Sequence, residues 1–382
     1  MKNTTNFKAV NWIDGMKINK SHFISSDNFH IEQTHISRRV FINENNFGIL
    51  PSSDNKNYPF EIKLILENDT IHITKYAFSI IMLDGSVISV NSEELGGNRI
   101  DNSSIKVRFK INELQEKEFV LIVRANPFIR IEYGEFESED LPLRRPFTLP
   151  GFEFIIIPER KAQNSFFSDN FFIIARFSIQ NSEVIMDNEY IPPATSMVSL
   201  PQLTVFYSDI YKKFLDLELK LLETISKYQS KGVDSLGETL IYTSCNLLQC
   251  LSRLKFEIKH LSLYEPPLNF LMKVKELANV LYQSLEIRSS AGKDKFITEV
   301  NRITGIPKAE FEPRLNKIIN LEYRHYNITE SLNQAKNFME DITDKIFKII
   351  SERDRDKKKG PDLVIPAGTP SDQDEAKKRK GI

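Results

Sequence analysis

Groups that move protons, ligate metals or attack carbon are present in this chain, but their spacing does not gather them. The six histidines are scattered; if the stretch "VNWIDGMKINKSHFISSDNFHIEQ" is helical, His22, His30 and His35 project at different angles. Neither His-Glu-x-x-His nor Cys-x-x-Cys occurs, so the three or four convergent ligands of a metal site are not signalled. Cys245 and Cys250 fall in a helical pattern about 140° apart around the axis, which suits neither a disulfide nor shared ligation and leaves them as ordinary buried residues. No Gly-x-Ser-x-Gly elbow marks a nucleophile. Gly96-Gly97 runs into Asn98-Arg99 without the further Gly and Lys of a phosphate cradle, and reads as a turn. The carboxylates at Glu93-Glu94 and at Glu137 with Glu139-Asp140 sit in polar stretches and read as solvated loops. The expectation is a non-enzymatic protein without cofactor or metal; a hydrolase using two distant carboxylates is a third-ranked alternative.

Composition narrows the partners. Lys plus Arg (51) and Asp plus Glu (52) cancel to a net charge of -1, so no overall field favours nucleic acid or an anionic membrane. The start, "MKNTTNFKAVNW", has no apolar core, and no uncharged apolar run of about eighteen residues occurs, so neither a signal peptide nor membrane insertion is expected and the cytoplasm is the default. With 382 residues, 41% hydrophobic, the chain can fill two or three cores. Its 27 Phe and 12 Tyr, including Phe166-Phe167 and Phe171-Phe172, are expected mostly in core, with any excess forming contact surface.

Two textures follow one another. From about Phe60 to Ile191 come short β-rich runs: "FEIKLILEN", "IHITKYAFSIIMLDGSVISV" with Asp84-Gly85 as its hairpin turn, "SIKVRFKI", "EFVLIVRAN", "GFEFIIIP" and "FFIIARFSI". Their spacing predicts an antiparallel sandwich. Pro192-Pro193 ends this texture. Apolar residues then recur at helical spacing, from Leu203 to Leu221 and from Leu236 to Leu261, with Gly232 between. Pro266-Pro267 opens a third helix through Leu285. Residues 289–313, broken by Gly292, Gly305, Pro307 and Pro313, read as a connection holding at most a short helix.

A fourth long helix is predicted over about 314–350, because Ile318, Leu321, His325, Ile328, Leu332, Ala335, Met339, Ile342, Ile346 and Ile349 step by three and four. The stripe fits a seam between three or four chains and, equally, the closing face of an intramolecular four-helix bundle. His325 is its one polar residue and a candidate register device. Residues 351–382 are charged and Pro-containing, with one apolar island at Leu363-Val364-Ile365, and are expected to be a disordered tail.

The opening stretch resembles the start of the TssK family of type VI secretion baseplate proteins, which reads Trp-x-Glu-Gly-Met-x-Leu-x-Pro-Gln-His-Phe. Trp12, Gly15, Met16, His22 and Phe23 match; Asp14 and Ile18 are conservative replacements, and Lys20-Ser21 departs from Pro-Gln. Phe47-Gly48, Leu83-Asp84-Gly85-Ser86, "VIMDNEYIPP" and "YEPPLNFLMKVKELANVL" extend the likeness sparsely to about Ile350, with Tyr264-Glu265-Pro266 differing from the family's arrangement. The resemblance implies an α+β chain of two domains: a β-sandwich "shoulder" over 1–198 and a four-helix "neck" over 199–350, assembled as a homotrimer. It further implies that the shoulder binds the TssF and TssG wedge proteins at the inner face of the cell envelope, with Trp12, Gly15, Met16, His22 and Phe23 structural or interfacial. The family's C-terminal head domain has no counterpart in the 351–382 tail, so the envelope complex would be met by the tail or by another connector. A phage-like receptor-binding or carbohydrate-binding trimer is the alternative for the same plan.

Overall fold

The computed structural model describes residues 7–350 apart from 53–58, 97–98, 102, 111–115, 138–142, 165–168, 231–233 and 348–349. Gly97, Glu139-Asp140, Phe166-Phe167, Gly232, Ile349 and the 351–382 tail lie outside the described residues. The fold is α+β: among the described residues two antiparallel sheets and eight α-helices are found.

After α1 (Lys20–Arg39), the first sheet is organised around β3 (Thr70–Ile81). β2 (Glu61–Glu67) and β1 (Gly48–Ile49) line one edge of β3, and β5 (Arg108–Lys110) and β4 (Val87–Asn91) line the other. Asn68 and Asp69 both take positive φ in the β2–β3 turn, which such short polar residues tolerate. Asp84-Gly85 turns β3 into β4: Gly85 has φ +85, and Asp84 Oδ1 accepts from Ser86 N at 2.8 Å. The second sheet runs β7 (Phe147–Pro158), β6 (Glu118–Tyr133), β8 (Phe171–Gln180), β9 (Glu183–Met186).

The sheets meet across an aromatic layer. Phe78 of β3 packs edge-on against Phe152 and Phe154 of β7, both at 6.2 Å, and Tyr76 approaches Phe154 at 5.1 Å. Each such pair contributes about 0.5–1.5 kcal/mol beyond area burial. The outer face of the second sheet is also covered: Val120, Ile122 and Ile173 pack with Ala162 of α2 (Glu159–Asn164) and with Tyr190. Burial on both faces explains why "EFVLIV" reads as a continuous apolar run rather than an alternating one.

The helical part begins at α3 (Pro201–Gln229), with Pro at its first position, and continues through α4 (Ser235–His260), N-capped by Asp234, and α5 (Pro267–Glu286). Most of each apolar stripe read from sequence is buried: Leu203, Ile210 and Leu217 on α3, Leu240, Leu247 and Leu254 on α4, Leu271, Ala278 and Leu285 on α5; Leu236 is partly buried and Leu261, just past the end of α4, is 46% exposed. α3 packs on α4, α4 on α5, α5 on α8 (Ile328–Glu340), and α8 returns to α3.

Two expectations are corrected. The segment read as a connection contains two helices, α6 (Ser290–Thr304) and α7 (Lys308–Ile319), separated by Gly305 in the left-handed conformation that ends helices. Gly292 lets α6 lie close on α4, since a Cβ there would come within 2.6 Å of Thr239 Oγ1. The predicted helix over 314–350 is not continuous. α7 ends at Ile319, a 3-10 turn occupies His325–Asn327, α8 follows, and Asp341–Phe347 is wound as π-helix. The break frees Tyr323, His325 and Tyr326 to pack toward the sheets; Phe47 lies 4.9 Å from the His325 ring and 5.1 Å from that of Tyr326. Tertiary packing of aromatic and Asn residues with modest helix propensity outweighs a regular apolar period.

Sheets and helices meet where Gly48 crosses the segment after β9. Ile49 N donates to Pro193 O (2.9 Å) and Thr195 N to Ile49 O (3.0 Å), while Gly48 has φ +120 and a Cβ there would overlap the Pro193 carbonyl. Gly48→Ala is expected to lower the unfolding free energy by about 3 kcal/mol, measured as a lower urea midpoint at unchanged m-value. An unchanged midpoint would mean that the crossing relaxes without cost.

Candidate functional site

The residues singled out at the start of the sequence lie on an arm, residues 7–19, and on the first turn of α1. Gly15 takes φ +75 in a turn closed by Met16 N donating to Ile13 O at 3.2 Å; open space surrounds it, so its requirement is conformational, not steric. Asn19 caps α1: its Oδ1 accepts from Ser21 N at 3.0 Å, and His22 Nδ1 accepts from Asn19 N at 3.2 Å. His22 therefore takes the place that Glu or Gln has in a capping box. The Trp12 ring lies 6.1 Å from His22 and 6.4 Å from Phe23, so three of the five residues form one aromatic group.

That group faces outward. Trp12 is 49% exposed and Phe23 57% exposed, and Met16 is half-buried. The arm is instead fastened by residues that the sequence reading did not single out. Phe7 packs against Phe128 with ring centroids 4.7 Å apart and planes tilted by 38°, and its N–H donates to the Glu32 carboxylate at 2.7 Å. Arg130 pairs with Asp27 at 3.1 Å and donates to Asn28 Oδ1 at 3.2 Å. Arg38 donates to Gly85 O at 3.3 Å, where a Cβ on Gly85 would come 2.8 Å from His35 O. Burial pulls the His35 imidazole below its usual range, with Asp84 opposing that shift.

Phe128 and Arg130 reach the arm because β6 slips register between Asn126 and Arg130, throwing Pro127, Phe128 and Ile129 out of the ladder. Pro127 has no N–H to give a sheet, and Gly151 opposite leaves room for Ile129, whose Cβ would sit 2.9 Å from any added Cβ. "RANPFIRIEY", a proline inside a strand run, was the available signal.

None of α1's twenty residues is buried. A helix of that length is marginal in water without an apolar face to bury. Large apolar side chains stand out at both ends of it: Ile13, Ile18 and Phe23 near its start, Val40 and Phe41 (77% exposed) after its end. The arrangement can bind another protein surface. Among the described residues no three His, Cys, Asp or Glu side chains converge as metal ligands. Cys245 and Cys250 are free thiols, and burial pushes that of Cys250 up.

The stripe residues go inside. Ile318, His325, Ile328, Leu332, Ala335, Met339, Ile342 and Ile346 are buried in the core of the single chain, and Leu321 packs partly buried against it. His325 lies in the 3-10 turn between α7 and α8. Its Nε2 lies 2.7 Å from Phe47 O and its Nδ1 2.5 Å from Tyr323 Oη. A carbonyl only accepts, so Nε2 carries the proton and Nδ1 accepts from the phenol. Burial holds His325 down to about 4, against an ordinary 6.5, and keeps the Tyr323 phenol protonated.

No protein-family model matches the chain, and no curated protein matches it. Solved structures do. A crystal structure of TssK aligns with a TM-score of 0.51 at 13% identity, over 87% of this chain and 69% of that one. A chain of the baseplate complex from the type VI secretion system gives 0.51 at 12% identity, over 87% and 99%. A chain in a TssK-TssF-TssG baseplate subcomplex gives 0.46 at 14% identity, over 87% and 99%. Fold and arm together define a two-part α+β chain, strands first and helices after, with an exposed apolar arm. Its fold is like that of TssK.

The sign of the His325 effect follows from its depressed value. Above pH 6.5 both folded and unfolded forms are neutral and the stability contribution is complete; between 6.5 and about 4 only the unfolded chain takes the proton, so stability falls with pH. The loss across that window is about 3 kcal/mol. Urea midpoints at pH 7.5, 6 and 5 are expected to fall more steeply for the protein than for His325→Gln; parallel profiles would exclude this assignment.

Proposed function

We propose that this chain is a structural baseplate subunit of a type VI secretion system, non-enzymatic, working as a homotrimer at the cytoplasmic face of the cell envelope. On this reading residues 1–198 form a sandwich shoulder that holds TssF and TssG wedge proteins. Residues 199–350 form the neck, with α3, α4, α5 and the α8 segment as its four-helix ring. An envelope component is met through the 351–382 tail or another connector.

The observation that carries the reading is the arm. A twenty-residue helix with no buried residue, flanked by Trp12, Phe23, Val40 and Phe41 in the open, is what a subunit presents when another surface completes it. The likeness of fold to TssK, at a TM-score of 0.51, and the Trp-x-x-Gly-Met and His-Phe residues support the same reading. The stripe from Ile318 to Ile346 is used within the chain, so contacts between copies fall to other groups. Trp12 and Phe23 on the arm and the outward Leu219, Leu222 and Phe256 of the neck are the apolar candidates.

Light scattering on the purified protein, alone and with candidate wedge proteins, tests this. The expected mass is near three chains of 44.3 kDa, shifting to a larger discrete complex with the wedge. A monomer that ignores those partners at every concentration would overturn the proposal. The double substitution Trp12→Ala/Phe23→Ala is expected to leave the stability of the single chain within about 0.5 kcal/mol while weakening assembly at least tenfold, as about 1.4 kcal/mol per tenfold requires of lost aromatic contacts. Wild-type assembly by this variant would remove the arm from the interface.

A further inference from the structure

A mostly apolar cavity lies in the helical part, between α5, α7, α8 and the π-helical turn. It measures about 260 Å³ and is floored by Leu281, Phe311, Leu315, Ile318, Phe338 and Ile346. Dry apolar cavities of about 150 Å³ take up a benzene-sized guest, so this one has room for two branched aliphatic side chains. Its lining carries the charged groups Arg314, Lys317 and Asp341, the last paired with Lys345. Arg314 is paired with Glu310 at 2.8 Å, whereas Lys317 has no carboxylate partner among the described residues.

We propose that this cavity is the seat of the chain's own Leu363-Val364-Ile365 segment, with Asp362 placed against Lys317. The sequence "PDLVIP" is the one apolar run within 351–382. Prolines at 361 and 366 bias it toward extended backbone, in which Leu363 and Ile365 point to the same side and Val364 to the other. Two aliphatic side chains thus enter together, matching the volume. The acid beside them meets the one uncompensated cation on the rim.

The tether favours this occupant over a separate partner. Ile346 is part of the cavity wall and Ile350, one turn on, is buried. The twelve residues from Ser351 to Asp362 span up to about 40 Å when extended, and they follow Ile350, only four residues after Ile346 of the cavity wall. A flexible tether of that length presents the segment at roughly millimolar effective concentration, so even a weak fit is occupied. This inference is independent of the baseplate reading.

Amide hydrogen exchange on the full-length protein tests it. In the wild type, exchange of Val364 and Ile365, and of the cavity helices around Leu315 and Phe338, is expected to be at least about fivefold slower than in Leu363→Asp/Ile365→Asp, as local closure implies. Dilution should not change the protection. The exposed substitution Lys317→Glu should weaken protection about threefold, the size of a surface ion pair, and adding Asp362→Lys should restore it. Equal exchange in the wild type and the double variant would overturn the proposal. So would protection that fades on dilution, which would make a second copy the occupant, or protection that arises only with an added partner.

Discussion

A single buried imidazole governs how the two parts of this molecule join. His325 is 3% exposed, and its two nitrogens are held by the Phe47 carbonyl and the Tyr323 hydroxyl. Burying a polar ring without those partners would cost several kcal/mol. The pair of bonds therefore dictates a neutral tautomer and a fixed position for the loop from Asn320 to Asn327. From that position α8 must start at Ile328, beside Thr329, whose hydroxyl donates to Glu189 O at 2.8 Å and accepts from Ile191 N at 3.3 Å. The same Phe47 sits next to Gly48, whose backbone crosses the Pro193 segment too closely for any side chain. Strands and helices are thus fastened through backbone groups around Phe47, not through a broad complementary face alone.

This joint also explains what the sequence made legible and what it hid. The strands announced themselves through apolar runs, and the Asp84-Gly85 turn through its residue types. The apolar stripes of α3, α4 and α5 read directly because each faces one continuous core. The Ile318–Ile346 stripe read just as clearly as one helix, yet the chain leaves the helix for eight residues in its middle. Periodicity reports which residues face the core, and Ile318, Ile328, Leu332 and Met339 all do. It does not report whether the backbone between them is continuous. His325 stood out as the one polar residue in the stripe, but its partner is 278 residues away, a separation no local pattern encodes. The α6–α7 pair was hidden by its glycines and prolines, which here cap and pack helices instead of abolishing them.

The arm was legible in a different way. Its motif residues were recognisable by type, and Trp12, His22 and Phe23 do come together. Their orientation was not legible. The contacts that seat α1 come from Phe128 and Arg130 at the bulge in β6 and from the Gly85 turn, far along the chain, and they leave the arm's aromatic group open. An arm and helix held by an ion pair, a few hydrogen bonds and the contacts of Phe7 and His35 with the Phe128 ring, with apolar side chains in solvent, would gain from a covering surface. The fold likeness and this exposed aromatic group are the observations on which the proposed baseplate role rests.

Trp12 is the chain's one tryptophan, so its fluorescence reports on the arm without any label. The most direct measurement is its emission and acrylamide quenching as the protein concentration is raised and candidate wedge proteins are added. The account predicts a blue shift and a drop in quenching on assembly, because the arm becomes covered. Red emission, quenched equally at every concentration and with every added partner, would contradict the central claim that another surface covers the arm.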